Sequence, residues 1–208
     1  MHAKAIVRIL FASSIVTGAF FVGANKAGTT GLQASYATLG GPTSVPYGWV
    51  DFCQREPQEC QQPALPPLDI NLTHKTWQIL NNVDHLVNQT IIPISNFDHW
   101  GTMLDHWDYP KDGKGDCKIY ALWKRKLLMD AGFPRQALLM TIVRDQNGEG
   151  HTILTVKTNR GEFILDNMRQ DIRPWNTTGY HFYKRQSQTN PNIWVAIVDP
   201  NRRISSLR

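Results

Sequence analysis

The sequence predicts a domain in which helices are combined with an antiparallel meander of strands. Apolar residues cluster at helical spacing in two segments, residues 76–87 and 113–134, as expected for the buried face of a helix. Three apolar, β-branched runs follow, over residues 137–144, 151–157 and 162–166, with turn sequences between them. We therefore expect a helix followed by three short, consecutive strands in the second half of the chain.

The composition is that of a globular protein with a hydrophobic core. The 208 residues include 22 Lys and Arg against 17 Asp and Glu, a net charge of +5, and 41% are hydrophobic. This balance excludes a disordered chain, a collagen-like repeat and a charge-driven coiled coil. No basic stripe interleaved with aromatic residues is present, so nucleic acid is not an expected partner.

The N-terminal segment has the three parts of a secretory signal peptide. Lys4 and Arg8 give it a positive start, the apolar run Ile9–Val22 follows, and small residues end it. The apolar run is shorter than the roughly 20 residues that span a bilayer as a helix. The alternative to a cleaved signal peptide is an uncleaved membrane anchor. We predict that residues 1–24 form a signal peptide and that the mature protein is periplasmic or secreted.

The remaining chain is predicted to be one domain behind a flexible linker. Residues 25–45 are rich in Gly, Ala, Thr and Ser and lack apolar periodicity, so they are assigned to the linker, and 46–208 form the domain. Cys53 and Cys60 lie close together in a Pro-containing loop and are expected to form a disulfide in an oxidising compartment. That pairing leaves Cys117 unpaired, either as a buried inert thiol or as a reactive one.

Cys117 lies in the first turn of the second predicted helix. Asp116 is placed as the N-cap, and Gly132 suits the end of the helix. Unpaired amides and the positive end of the helix dipole favour a thiolate at this position. The basic run Lys124-Arg125-Lys126 on the same helix is expected to face solvent.

Strand register determines whether His151 can meet Asp166. If an even-numbered loop joins their strands, Ile153 pairs with Asp166, and His151 lies two residues along on the same face. Diagonal neighbours on one face have Cβ atoms up to ~7–8 Å apart, within reach of an imidazole–carboxylate hydrogen bond. A three-residue loop would instead place the two side chains on opposite faces.

Cys117, His151 and Asp166 are the residue types of a thiol nucleophile, its base and the group that orients the base. The alternatives are a surface histidine beside a turn and an aspartate that merely ends a strand. A second polar group, formed by His99, Asp105, His106 and Asp108, contains metal-ligand types, but its spacing matches no structural zinc pattern. No cofactor or metal is predicted from these residues.

Three motifs give the sequence a family resemblance. GKGDCKIYALWKRKLL, GEGHTILTV and FILDN, in this order, resemble the bacterial transglutaminase-like cysteine proteinases, whose best-known branch is the LapG type of periplasmic adhesin protease. FCQREPQEC, the Trp77 helix, TGYHFYKRQS and the Trp194 strand extend the similarity over residues 46–198. The resemblance implies a papain-like α+β fold of the transglutaminase type, with the nucleophile helix packed on an antiparallel sheet. It also implies that Cys117 is the nucleophile, His151 the base and Asp166 the orienting acid.

The resemblance carries further implications about ligands and partners. LapG-type proteases depend on calcium and usually have Asp-Cys-Glu-Asp where this chain has Asp116-Cys117-Lys118-Ile119, so Asp116 is the remaining calcium candidate and Lys118 argues against the ion. The Cys117 amide is the expected first donor of an oxyanion hole, and Trp107 is the candidate for a second. A protein or peptide substrate such as a cell-surface adhesin, and a membrane-bound regulator, are the implied partners.

The leading hypothesis is an exported, monomeric cysteine peptidase that forms an acyl-enzyme. The same acyl-enzyme resolved by an amine would make the protein a transglutaminase or amidase. A binding module on a catalytically retired protease fold is the hypothesis from a different class.

Overall fold

The computed structural model describes residues 34–198, and the statements below concern that part of the chain. No helix in it is long and apolar enough to cross a membrane. The predicted signal peptide, residues 1–24, lies outside the described residues.

Helices come first along the chain and most strands follow. The described residues contain four α-helices: α1 (Tyr47–Arg55), α2 (His74–Thr90), α3 (Asn96–Trp100) and α4 (Cys117–Asp130). The strands are β1 (Thr38–Thr43), β2 (Ile92–Pro93), β3 (Lys114–Gly115), β4 (Leu138–Arg144), β5 (Gly150–Thr158), β6 (Gly161–Leu165), β7 (Arg173–Pro174), β8 (His181–Gln186) and β9 (Trp194–Val198). The predicted helices and the three predicted meander strands are all present, with ends that differ by a few residues.

One seven-stranded sheet forms the centre of the fold. Its strand order is β1-β9-β8-β4-β5-β6-β7, and every neighbouring pair is antiparallel. Helix α4 packs on β5 and against α2. Leu122 and Leu128 of α4 join Leu138 and Leu154 of the sheet in a core from which solvent is excluded. The mixed fold with a helix packed on an antiparallel sheet is thus confirmed.

The register of β5 and β6 is the one that the sequence analysis required. Leu154 pairs with Leu165, and Thr158 pairs with Gly161, so an even, two-residue turn joins the strands. His151 and Asp166 therefore come to the same face at one end of the sheet.

The linker prediction is wrong for residues 38–43. They form strand β1, which pairs with β9 at the edge of the sheet. The side chains of this strand are all exposed, which is why apolar periodicity was absent. Backbone hydrogen bonds to an edge strand need no apolar pattern, so the sequence had no signal for it.

The prediction that the basic run of α4 faces solvent is also wrong. Lys124 and Arg125 are almost completely buried, and each forms an ion pair with an acid of another segment: Lys124 with Asp84 of α2 at 2.6 Å, and Arg125 with Glu59 at 3.1 Å. Lys126 alone follows the prediction, since it pairs with Asp130 on the helix surface.

The predicted disulfide is present. Cys53 of α1 and Cys60 are joined with a Cα–Cα distance of 5.6 Å, and Cys117 is a free, half-buried cysteine. Since the chain has three cysteines, Cys117 is its one free thiol when this bond is formed.

Candidate active site

Cys117 is the first residue of α4, as predicted. The strand before it, β3, pairs in parallel with β2, and Gly115 ends that strand two residues before the thiol. A Cβ atom at Gly115 would lie 2.4 Å from Ile119 Cγ2, so a side chain cannot fit between the strand and the first turn of the helix. The glycine thus allows the chain to turn directly from β3 into α4 and places Cys117 at the helix start, where backbone amides have no helical partners.

His151 lies at the start of β5, and its imidazole is buried. Its Nε2 atom is 2.8 Å from Oδ1 of Asp166, which directly follows β6. Since Nε2 faces the carboxylate, Nδ1 is the ring nitrogen left to face another group. Cys117 interacts with the same imidazole, so the structure brings together all three residues of the predicted triad.

The surroundings of His151 favour its protonated form. Burial opposes the charge, but the hydrogen bonds to Asp166 and to Cys117 outweigh it and raise the pKa of His151 to about 9. For Asp166, burial is again the opposing effect, and its contacts with His151 and Tyr180 hold the pKa of the carboxyl below its usual value. The pair is therefore an imidazolium and a carboxylate at neutral pH.

Groups other than His151 also hold Asp166 in place. The Tyr180 hydroxyl donates to its Oδ2 atom at 2.5 Å, and the Met168 amide donates to Oδ1 at 3.0 Å. From α2, the Asn88 side chain donates to the backbone carbonyls of Asp166 and Arg169 at 2.9 and 3.0 Å. The carboxylate and the turn that carries it are thus fixed from two sides.

Sequence reasoning missed Tyr180 and Asn88. Tyr180 lies within the motif TGYHFYKRQS, but a tyrosine before a strand has no spacing that relates it to an aspartate 14 residues earlier. Asn88 is on a helix whose apolar pattern explains its neighbours and not its own side chain. Only the folded chain shows that both of them contact the Asp166 turn.

A second charged group includes the residues on either side of Cys117 in the sequence. Lys118 follows Cys117 in α4, and its ammonium contacts Asp116 Oδ2 and lies 2.8 Å from Asp105 Oδ1. Asp116 occupies the N-cap position, as predicted, but its carboxylate forms no capping hydrogen bond because it turns to Lys118. Asp105 also accepts a hydrogen bond from the Trp107 indole N–H at 2.8 Å.

Trp107 is a core residue in this structure. Its ring is fully buried, packs edge-on against Trp49 and Trp194, and fills the space beside Gly48, where a Cβ would lie 2.2 Å from Trp107 Cδ1. Its N–H is engaged by Asp105. The predicted oxyanion role of Trp107 stays a prediction that no contact with Cys117 supports.

One known protein family matches most of this chain. The sequence model described as bacterial transglutaminase-like cysteine proteinase matches residues 39–202, most of the chain. The chain belongs to this family. It is therefore a cysteine peptidase of the transglutaminase-like superfamily, and the proposed resemblance and fold are confirmed. No curated protein matches the sequence.

One solved structure has a similar fold at low sequence identity, and a second form of the same protein also matches. Legionella pneumophila LapG in its calcium-bound form is 19% identical, with a TM-score of 0.50 over 62% of this chain and 75% of LapG. The EGTA-treated form of LapG is 20% identical, with a TM-score of 0.48 over 60% of this chain and 68% of LapG.

The four residues of metal-ligand type noted in the sequence all take part in ion pairs. His99 pairs with Asp112 at 3.0 Å, whereas His106 lies between Asp51 and Asp108. Among residues 34–198, no group of three or more His, Cys, Asp or Glu side chains converges as a metal site would require. The structure therefore brings His106 and Asp108 together but pairs His99 with a different acid, Asp112.

Proposed function

We propose that this proteinase cleaves peptide bonds with Cys117 as nucleophile, His151 as acid and base, and Asp166 as the orienting group. The observation that carries the proposal is the buried imidazole of His151, which contacts Asp166 on one side and Cys117 on the other. A thiol nucleophile needs a base that is itself held in one orientation, and this arrangement supplies both.

The proposed reaction has two stages, formation of a thioester and its hydrolysis. The Cys117 thiolate attacks the scissile carbonyl carbon, and we propose that the Cys117 amide at the helix start stabilises the resulting oxyanion. The C–N bond breaks as His151 gives its proton to the leaving amine, which produces a thioester. Water then attacks the thioester while His151 takes a proton from the water, and the carboxylic acid leaves with Cys117 restored.

The test is a comparison of the wild-type protein with Cys117→Ala on a library of peptides from a bacterial proteome digest. We expect new peptide N-termini with the wild-type protein and none with Cys117→Ala. A labelled primary amine in the same reaction would be incorporated into glutamine side chains by a transglutaminase. Equal products from the two proteins, or amine incorporation without cleavage, would contradict the proposal. A Cys117 thiol that does not react with iodoacetamide would instead support the hypothesis of a catalytically retired binding module.

The raised pKa of His151 predicts the alkaline limit of activity. Below a pKa of about 9 the imidazole carries the proton that the leaving amine needs, and above that value it does not. The rate constant kcat/KM is therefore expected to fall about tenfold per pH unit above the limit. Initial rates on one cleaved peptide, with circular dichroism at each pH as the control for folding, measure this. A rate that keeps rising through about pH 10 would contradict it.

We also propose that the enzyme is exported and acts in the periplasm or outside the cell. The N-terminal sequence supports this, and so does the Cys53–Cys60 disulfide, a bond that persists in oxidising compartments. A cell-surface protein such as an adhesin is proposed as the substrate and a membrane-bound protein as the regulator, both on the family resemblance. The enzyme is proposed to act as a monomer without nucleic acid.

Calcium does not fit the residues beside the nucleophile. The ion takes six to eight oxygen ligands, whereas here two carboxylates, Asp105 and Asp116, already share the ammonium of Lys118. The other Asp116 oxygen, Oδ1, is buried without a hydrogen-bond partner in the described chain, and one such oxygen does not make a calcium site. We therefore propose a mechanism without a calcium ion.

A further inference from the structure

We propose that the Lys118 ammonium is a built-in cation that holds residues 105–116, the segment leading to Cys117, in place, so that this enzyme folds and works independently of calcium. The inference rests on the proposed peptidase function, and Lys118 is a positioning residue in it. The structural observation is an ammonium shared by two carboxylates directly beside Cys117.

The first step of the argument is the burial of Lys118. Its side chain is only 7% exposed, although it lies in the first turn of a helix whose start is near the surface. Burial opposes its charge, but the carboxylates of Asp116 and Asp105 outweigh this effect and raise the pKa of the ammonium above its usual value. A buried, charged lysine is retained where it has partners, and one of the two partners here, Asp116, directly precedes the nucleophile.

The second step is the set of contacts that the ammonium connects. Asp116 directly precedes Cys117, so one carboxylate ties Lys118 to the start of α4. Asp105 belongs to the preceding loop, and its other oxygen holds the indole of the buried Trp107. The ammonium thus joins the helix start, the loop before it and the tryptophan core.

The third step concerns the other carboxylates of that loop. Asp108 pairs with Arg55 at 3.2 Å and with Lys111 at 3.3 Å, and Asp112 pairs with His99. Every aspartate in residues 105–116 therefore has a basic side chain as its partner. At Asp105, Asp108 and Asp116, a divalent cation would have to compete with a lysine or arginine side chain for the carboxylate.

The experiment measures the thermal midpoint Tm and the rate of Cys117 alkylation by iodoacetamide, each in millimolar CaCl2 and in EGTA. For the wild-type protein, both quantities are expected to be the same in the two solutions. Lys118→Met is expected to lower Tm by roughly 3–6 °C, the shift that loss of a partly exposed ion-pair cluster produces in a chain of this size. It is also expected to change the alkylation rate several-fold, because the loop before Cys117 loses its anchor.

Three further variants make the test specific to the charge. Lys118→Arg keeps the cation and is expected to restore most of both quantities. Lys118→Glu places a third carboxylate among the two, so its Tm and alkylation rate are expected to depend on calcium. Lys126→Gln is the matched control, since Lys126 is on the same helix but pairs with Asp130 on the helix surface, and it is expected to behave as the wild-type protein does.

Each outcome has one meaning. A wild-type Tm or alkylation rate that responds to calcium would overturn the inference, as would a Lys118→Met protein indistinguishable from Lys126→Gln. A Lys118→Glu protein that is equally impaired in both solutions would contradict the inference that the ammonium occupies the place of a metal cation. Because both measurements are independent of proteolysis, the inference holds or fails even if the library experiment finds no cleavage.

Discussion

Replacing Asp166 by Ala is expected to lower kcat/KM for peptide cleavage by roughly 10³-fold. The substitution removes the acceptor 2.8 Å from His151 Nε2, so the imidazole loses both its fixed orientation and the charge that favours its protonation. The alkaline limb of the pH profile should move to lower pH for the same reason. Initial rates on one cleaved peptide across the pH range measure both changes.

Two matched variants separate the functions of this carboxylate. Asp166→Asn keeps an acceptor for His151 and for the Met168 amide but removes the charge, so it is expected to lose less activity and still to show the shifted limb. Tyr180→Phe removes the hydroxyl that donates to Oδ2 but leaves the Asp166 carboxylate itself, so it is expected to cost less than about tenfold. Wild-type kcat/KM in a folded Asp166→Ala protein would contradict the role assigned to Asp166.

The order of the candidate catalytic segments could be predicted from local rules, whereas their register could only be narrowed to an even or a three-residue loop. Apolar spacing and a terminal glycine identify α4, and they place Cys117 at its start. The turn between β5 and β6 contains two residues, which fixes the parity that brings His151 and Asp166 to one face. These are consequences of neighbours in sequence, and a single sequence contains them.

The contacts that support the triad could not be predicted in this way. Asn88 and Tyr180 reach the Asp166 turn from segments distant along the chain, and nothing in their own surroundings in the sequence indicates that contact. Asp116 was expected to cap α4, and the N-cap position is right. Its carboxylate is bound instead by Lys118, because a charge-assisted contact competes with a capping hydrogen bond.

The burial of the basic residues of α4 also could not be predicted from the sequence. Three consecutive basic residues are typical of a solvated helix face, but Lys124 and Arg125 are buried because acids on α2 and beside Cys60 meet them. A helix of this composition can be covered on several sides only where each charge has a partner. The partners are 40 and 66 residues away in sequence, so composition alone does not reveal them.

Lys124→Met is expected to lower the free energy of unfolding by about 3–5 kcal/mol, because it leaves the Asp84 carboxylate buried without its counter-ion. Both side chains of this pair are 1% exposed, and their atoms are 2.6 Å apart. Urea unfolding followed by tryptophan fluorescence, with the disulfide intact, measures the change. Lys126→Met on the exposed face of the same helix is the control and is expected to change stability by less than about 0.5 kcal/mol.

The pH dependence of that loss identifies its cause. Burial raises the pKa of Asp84 and Lys124 opposes the rise, so without Lys124 the folded protein binds a proton at Asp84 more readily than the unfolded chain does. The destabilisation should therefore shrink as the pH falls towards about 4, whereas a loss of stability caused by lost packing would not depend on pH.

Asp84→Leu combined with Lys124→Met should recover most of the stability, since no buried charge remains. If the double variant also regains any peptidase activity that Lys124→Met loses, the pair serves to join α2, which carries Asn88, to the helix that begins with Cys117. A double variant as unstable as Lys124→Met would contradict the electrostatic cause.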